Sequence, residues 1–442
     1  MSPTTATSVV PDEGKQEPSR PEPSQWAMGT EAFERRMPHH DGIRALWETK
    51  WRGPCTAGVY PFHDGQLEDF APVFQSLIVE HGDVVKEGTE HEYTRAFFGG
   101  ARDLERRGDE AAAAGDVEGA SRLYLRAACL LRIARFPYIS GHPRVSDPVK
   151  WEAWERQKDV YMKAARSWPQ PVIEVPIPHV YARGGDRDVI PAYVRVPAPS
   201  PSAEAERCPV VILLTGLDGY RPDNTARCDA FLARGWAAVV LEIPGTADCP
   251  ADPADPLAAD RLLDSVFAWL DGCAASASFP GAARLDAGRV MMWGLSSGGY
   301  YAVRAAHTHR ARLRGAVAQG AGTHHFFARG WLARADGHEY PFRLLPALAA
   351  KHGFPGDVEG YLREAQARFS LVASGIVQGP SARLLLINGT HDGLMPIEDS
   401  TLLFEYGSPK EARFFPGALH MGYPLANDSV YPWMEQVMAS AQ

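Results

Sequence analysis

The chain has 442 residues, of which 45% are hydrophobic and 22% charged, and its formal net charge at pH 7 is −9. This length predicts a large core with one further domain, and the charge forms no basic cluster that would attract nucleic acid or an anionic membrane. The six cysteines form no CxxC pair and no regular spacing, which predicts reduced thiols in a cytoplasmic protein and argues against a disulfide framework or a zinc site.

The N-terminal part of the chain divides into a polar tail and a helical region. Residues 1–25 are rich in Pro, Ser, Thr and Glu without a signal-peptide apolar stretch, which predicts a disordered tail. No later apolar segment is long enough to cross a membrane. Residues 26–168 are predicted to be a helical domain. Residues 101–135 carry an apolar stripe at helical spacing with a glycine turn at 114–116, and residues 151–168 form a further amphipathic pattern.

From residue 169 to residue 442 the pattern changes to strands alternating with helices. Two strands around the turn 184–186 predict an antiparallel hairpin. Strands separated by helix-length segments require crossovers and a parallel sheet, which predicts an α/β-hydrolase fold with a mainly parallel central sheet. The predicted strands are 172–177, 190–196, 210–214, 236–241, 290–293, 315–319, 384–387 and 413–415.

The interval 322–380 is too long for one helix and is predicted to be a helical insertion over the active site. Its aromatic side chains suit a flat ligand, although ordinary core packing explains each of them equally well. The aromatic residues in question are Phe326, Phe327, Trp331, Tyr340, Phe342 and Phe354.

The sequence Gly-Leu-Ser-Ser-Gly at 294–298 follows an apolar run and precedes a helical pattern. Strand, sharp turn and helix in this order predict a nucleophile elbow, in which small neighbours allow the strained turn that exposes Ser296. The motif alone is weak, because a serine needs a base and the base needs an acid to orient it.

Both partners follow in the chain order of the α/β-hydrolases. Asp392 comes after the buried-strand pattern 383–389, and His420 comes after a short apolar strand that runs into a loop. Each alone also fits an ordinary turn or loop residue, but the order and context together predict a catalytic triad of Ser296, Asp392 and His420.

A further turn, TGLDGY at 215–220, follows another predicted central strand. Acyl chemistry develops negative charge on a carbonyl oxygen, so two backbone N–H groups are needed to bind it. Leu217 and Ser297 are the predicted donors, with a simple glycine turn at 215–220 as the alternative.

Several further polar residues lie near these motifs. The pairs His307 with His309 and His324 with His325 do not have metal-ligand spacing, so no metal is predicted. Asp218, His324 and His325 are candidate substrate contacts because they follow strands next to the elbow.

Four segments together resemble the FrsA-like α/β-hydrolase family, in particular its branch of carbon-carbon bond hydrolases. They are TGLDGYR at 215–221, EIPGT at 242–246, QGAGTHH at 319–325 and NGTHDGLMPIED at 388–399. The branch includes fungal heptaketide hydrolyases and 2,6-dihydroxypseudooxynicotine hydrolase. The resemblance implies the same triad at Ser296, Asp392 and His420, no cofactor, a small polyketide or aromatic ketone substrate, and a homodimer with 26–168 as lid and dimerisation domain.

One feature of the family is not found where the resemblance places it. In the nicotine-pathway enzyme an acidic residue after the nucleophile assists the reaction, but the corresponding stretch here, 324–327, has no carboxylate. We therefore expect a polyketide-type hydrolase that cleaves a carbon-carbon bond next to a ketone without carboxylate assistance. An esterase, lactonase or acyl-transferring cyclase with the same triad is the alternative, and a non-catalytic binding protein is a more distant one.

Overall fold

The structure is a computed structural model that describes residues 25–81, 90–199, 207–275 and 278–440. The predicted disordered tail, 1–25, lies outside the described residues except for Gln25. Among the described residues, eight strands form one sheet in the order β1-β2-β4-β3-β5-β6-β7-β8. The strands are β1 (Ile173–Pro178), β2 (Val189–Arg195), β3 (Cys208–Leu214), β4 (Ala237–Leu241), β5 (Leu285–Leu295), β6 (Gly315–Gln319), β7 (Arg383–Gly389) and β8 (Lys410–Phe415).

The sheet has the predicted arrangement. β1 pairs with β2 and β2 with β4 in antiparallel register, whereas every other neighbouring pair is parallel. The central strands are mostly apolar because helices cover both faces of the sheet, and all five residues of β4 and of β6 are buried. The predicted hairpin and the mainly parallel sheet are therefore confirmed.

Helices precede the sheet and connect its strands. They are α1 (Thr30–Glu34), α2 (Ile43–Ala45), α3 (Arg52–Ala57), α4 (Leu67–Glu80), α5 (His91–Ala96), α6 (Phe98–Ala113), α7 (Val117–Ala134), α8 (Pro148–Ala165), α9 (Thr225–Leu232), α10 (Ala258–Cys273), α11 (Ser297–Thr308), α12 (Arg329–Ala335), α13 (Leu344–Lys351), α14 (Val358–Phe369), α15 (Ile397–Leu402) and α16 (Asn427–Ala439). A π-helical segment, Leu46–Trp51, joins α2 to α3. No helix in the described residues is long and apolar enough to span a membrane.

The helical N-terminal region packs directly on the sheet. The change from helices to strands falls between α8 and β1, as predicted. However, buried residues of both regions belong to one continuous hydrophobic cluster, in which Trp51 and Phe136 join Trp293 and Leu385. The division into domains at 168 and 169 stays a prediction, because the packing is continuous across it.

A buried ionic network fastens the C-terminal end of α7 to the segment after β3. Arg132 Nε donates to Asp223 Oδ1 at 2.7 Å, Arg135 donates to the other carboxylate oxygen, and Gln157 Nε2 donates to Oδ1 at 2.7 Å. Burial opposes the charge of Asp223, but the two guanidinium groups outweigh it and lower the pKa of Asp223 to about 2. The N-terminal helices are therefore tied to the loop that follows a central strand.

Three helices, α12, α13 and α14, lie between β6 and β7, in the interval where the sequence predicts a helical insertion. They pack mainly on one another and on loop residues after β3 and β7 through a separate apolar cluster that includes Trp331, Leu348 and Tyr361. This cluster holds α13 above the carboxyl ends of the strands, where its Leu344 and Leu348 line a cavity.

Candidate active site

The backbone turns sharply at Ser296, between β5 and α11. Ser296 has φ 55° and ψ −122°, a conformation that non-glycine residues seldom adopt. The flanking glycines are required by close packing: a Cβ on Gly294 would lie 2.1 Å from the Gly298 carbonyl oxygen, and one on Gly298 would lie 2.3 Å from the Thr215 carbonyl oxygen. The strained turn thus depends on the glycine spacing seen in the sequence, and it places Ser296 in the wall of the cavity.

His420 lies between Ser296 and Asp392. Its Nε2 is 2.8 Å from Ser296 Oγ, and its Nδ1 is 2.7 Å from Asp392 Oδ2. The Asp392 side chain is fully buried, and its other oxygen accepts the N–H groups of Leu394 and Met395 at 2.8 and 2.9 Å. The structure therefore brings the three predicted residues together in the geometry of a hydroxyl, a base and an orienting acid.

The surroundings of His420 favour its protonated form. Burial disfavours the imidazolium, but the Asp392 carboxylate beside it outweighs burial and raises the pKa of His420 above its usual value. Glu339 and Asp218 act in the same direction from further away. A base with a raised pKa retains the proton that it has accepted, which makes it a competent acid for the next step.

The loop after β3 lies against the elbow. A Cβ on Gly216 would be 3.3 Å from Ser296 Cβ, so the loop approaches the serine closely. The Tyr220 hydroxyl donates to the Leu217 carbonyl oxygen at 2.9 Å, and Arg135 Nη1 donates to that of Asp218 at 2.5 Å. These bonds fix the loop from behind. Leu217 and Ser297, the predicted oxyanion donors, both line the cavity beside Ser296.

A cavity of about 310 Å³ opens above these groups. Its walls are mostly apolar and come from the N-terminal region, the loops at the carboxyl ends of the strands, and the insertion before β7. The lining residues are Lys50, Trp51, Pro54, Tyr60, Pro61, Phe136, Gly216, Leu217, Asp218, Gly219, Asp223, Asn224, Arg227, Leu295, Ser296, Ser297, Glu339, Tyr340, Pro341, Leu344, Leu348, Leu394, Met395, Leu419, His420, Met421 and Tyr423.

Glu339 is a lining residue that the sequence argument missed. Its Oε1 accepts the Gly393 N–H at 3.0 Å, whereas its buried Oε2 has no hydrogen-bond partner in the described part of the chain. Burial, and then the Asp392 charge, raise the pKa of Glu339. The stretch 324–327 has no carboxylate, but Glu339, further along the insertion, brings one into the cavity.

The predicted substrate contacts divide into one in the cavity and two outside it. Asp218 lines the cavity and accepts a hydrogen bond from the Tyr60 hydroxyl at 2.9 Å. His324 and His325 are not among the lining residues. The Asp399 carboxylate accepts the N–H groups of 323–326 at 2.6 to 3.1 Å, and this turn directs His324 to Ser370 Oγ, 2.7 Å away.

Most aromatic residues of the insertion are also placed differently from the expectation of a flat-ligand wall. Only Tyr340 of the predicted set lines the cavity. Phe326, Phe327 and Trp331 pack in the cluster that holds the insertion together, as ordinary core residues do. Within the described residues no group of three or more side chains is placed to hold a metal ion. His309, one of the histidines considered for a metal site, lies 3.2 Å from an Asp264 oxygen.

Comparison with known proteins places the chain in a family. Residues 107–439, more than half of the chain, match the FrsA-like family, described as "Esterase FrsA-like". The chain therefore belongs to the FrsA-like family, as its sequence segments predict, and the protein is an enzyme of the α/β-hydrolase class.

Individual relatives are more distant. "Hydrolase acrC" of Aspergillus aculeatus is 30% identical over 52% of this chain and 53% of its own length, so the match spans about half of that relative. "Esterase FrsA" of Pectobacterium atrosepticum is 23% identical over 73% of this chain and 71% of its own length.

Solved structures confirm the fold. The 2,6-dihydroxy-pseudo-oxynicotine hydrolase superposes with a TM-score of 0.56 and 17% identity, covering 78% of this chain and 86% of that structure. AbyA5 superposes with a TM-score of 0.53 and 21% identity, covering 84% and 94%. The predicted α/β-hydrolase fold with a helical N-terminal region is thus confirmed.

Proposed function

We propose that the protein is a serine hydrolase that cleaves a carbon-carbon bond next to a ketone in a polyketide or aromatic β-dicarbonyl substrate. The observation that carries the proposal is the linear arrangement of Ser296, His420 and Asp392 at the base of a mostly apolar cavity. The apolar walls suit a ring compound, and the four sequence segments that resemble carbon-carbon hydrolases favour this bond.

The reaction begins with a proton transfer. His420, oriented by Asp392, removes the Ser296 proton while Ser296 Oγ attacks the ketone carbon, and the new oxyanion is bound by the N–H groups of Leu217 and Ser297. When the intermediate collapses, the carbon-carbon bond breaks and its electron pair becomes an enolate or phenolate. His420 returns the proton to this leaving group, and water then hydrolyses the acyl-enzyme.

Glu339 has a positioning role in this scheme. Its bond to the Gly393 N–H holds the turn that carries Asp392, and its negative charge raises the pKa of His420. Both effects stabilise the imidazolium that forms when Ser296 attacks. This is the step at which positive charge develops on His420.

A second function uses the same residues on an ester, a lactone or a cyclising acyl group. The match to a family described as "Esterase FrsA-like" favours it. The triad fixes acyl chemistry and leaves the identity of the leaving group open.

Product analysis separates the two functions. Purified protein is incubated with naphthopyrone, acylphenol and simple ester substrates, and the products are identified by mass spectrometry beside a Ser296→Ala control. Loss of an acyl fragment from carbon is the expected result. Turnover of esters alone would support the second function, and product formation by the Ser296→Ala protein would exclude both schemes.

A further inference from the structure

Arg227, on α9, lines the cavity as a cation without an acidic partner. No carboxylate of the described residues lies within ion-pair distance of its guanidinium. Other buried arginines of this region are matched: Arg132 and Arg135 pair with Asp223, and Arg221 pairs with Glu242. Arg227 is therefore an exception in a region where buried positive charge is otherwise neutralised.

The contacts of Arg227 are with neutral groups. It donates to the Tyr423 hydroxyl and, through Nη1, to Asn224 Oδ1 at 3.1 Å, and its Cζ lies 5.8 Å from the centre of the Trp293 ring. Its Nε is buried without a hydrogen-bond partner in the described chain. Neutral partners leave the charge of a desolvated guanidinium uncompensated, which costs free energy until an anion binds.

The acidic residues of the cavity are engaged elsewhere. Asp223 is held between two arginines, Asp218 accepts the Tyr60 hydroxyl, and Glu339 accepts the Gly393 N–H. The other lining cation, Lys50, is attracted by Glu339, whose charge opposes the effect of burial on the pKa of Lys50. Among the lining residues that the structure describes, Arg227 is thus a cation that no carboxylate of the cavity pairs with.

We propose that Arg227 binds an oxyanion group of the substrate, and that the substrate is acidic, with the ionised enol of a 2-acyl-1,3-dicarbonyl ring, whose acyl oxygen lies beside a ring oxygen, as the group that fits. This rests on the proposed function and specifies its substrate class. A planar guanidinium donates parallel N–H groups to two oxygens that share one charge, as in such an enolate. Arg227 donates to Tyr423, which follows His420 by three residues. An anion bound by Arg227 would therefore lie beside the loop that carries the catalytic base.

Calorimetric binding of a matched ligand pair tests this. The first ligand is a 2-acylcyclohexane-1,3-dione, which is ionised at neutral pH, and the second is its neutral O-methyl enol ether of nearly the same shape. We expect the native protein to bind the ionised dione about tenfold more tightly than the ether. In Arg227→Gln the dione should lose about tenfold in affinity whereas the ether is unaffected.

Two variants control for other roles of Arg227. Arg234→Gln removes a nearby arginine that pairs with Glu435 outside the cavity, and it should bind both ligands as the native protein does. Arg227→Lys keeps the charge but not the planar fork, so it should retain part of the preference for the dione. A merely structural arginine would instead weaken both ligands equally when replaced, which would overturn the proposal.

The native protein alone decides the question if the Arg227 variants do not fold. Equal affinity for the dione and the ether would overturn the proposal. Failure of the proposed function is detected separately, by the absence of fluorophosphonate labelling at Ser296. A protein that prefers the dione but is not labelled would retain the anion site and lose the serine hydrolase assignment.

Discussion

The floor and the roof of the cavity are built by different means. The floor consists of residues in the turns after strands, such as Leu217 after β3, Ser296 after β5 and His420 after β8. The roof consists of Lys50 and Trp51 from the N-terminal region and Glu339 and Leu344 from the insertion, all positioned by tertiary packing. The difference teaches that the positions of the floor residues are encoded locally, whereas the shape of the roof depends on distant segments.

The largest effect is expected when one atom of a floor residue, the hydroxyl oxygen of Ser296, is removed. Ser296→Ala should reduce kcat by at least about ten-thousand-fold because the nucleophile is lost. Ser297→Ala keeps the backbone N–H that binds the oxyanion, so it should retain most of the activity. Both variants are measured by steady-state kinetics with a substrate found by product analysis. Similar losses of kcat in the two would mean that activity depends on the shape of the elbow and not on the Ser296 hydroxyl.

The next test removes the charge of Asp223, which ties the N-terminal part of the roof to the loop after β3. Asp223→Asn leaves Arg135 buried without a counter-charge and leaves Arg132 only a longer contact, 3.6 Å to Asp64 Oδ2, and we expect it to lower the free energy of unfolding by about 3–5 kcal/mol. Glu359→Gln breaks an exposed pair with Arg329 and should cost at most about 1 kcal/mol. Denaturant unfolding of both variants gives the values, and a small effect of Asp223→Asn would show that apolar packing alone holds the roof.

The same network has a pH signature. The folded-state pKa of Asp223 is lowered to about 2, so its contribution to stability is complete above its unfolded pKa of about 3.9 and is lost as pH falls toward the folded value. Asp223→Asn should lose this part of the pH dependence, and its stability should therefore differ most from that of the native protein above pH of about 4.

A third test concerns the effect of a roof residue, Glu339, on a floor residue, His420. Glu339→Gln removes a negative charge that raises the pKa of His420, so the pKa of His420 should fall. Because His420 acts as a base in its neutral form, the acidic limb of the kcat/KM profile should move to lower pH. Glu405→Gln, on the surface and outside the cavity, should leave the limb in place. A shift to higher pH in Glu339→Gln would contradict the assigned role.

The smallest expected effect is at the cavity wall. Tyr60→Phe removes the hydroxyl that donates to Asp218, and we expect KM to rise about threefold with kcat unchanged, because one hydrogen bond positions this wall. Tyr181→Phe, at an exposed position outside the cavity, serves as the control. A change in kcat alone would mean that Asp218 takes part in the chemical step and does not merely form part of the cavity wall.

The sequence predicted the floor because its signals are short-range. The glycines around Ser296 and the strand ends before Asp392 and His420 are visible in the chain order, and their backbone requirements are local. Nothing local marks Glu339 or Arg227, since both depend on where helices dock. His324 and His325 show the reverse error, because the Asp399 carboxylate that redirects their turn lies more than 70 residues away in sequence.

The Asp223 network also sets a rule for recombining this enzyme with its relatives. The guanidinium groups of Arg132, in α7, and of Arg135, just after it, share one carboxylate that lies beyond β3, so the charges balance in a chimera only when the two segments match. A crossover between Ala165 and Ile173, where the secondary structure changes, divides the three residues between parents, whereas a crossover after Leu232 keeps them together. Chimeras built at the second position should therefore fold more often and transfer the N-terminal part of the roof together with the Asp223 network.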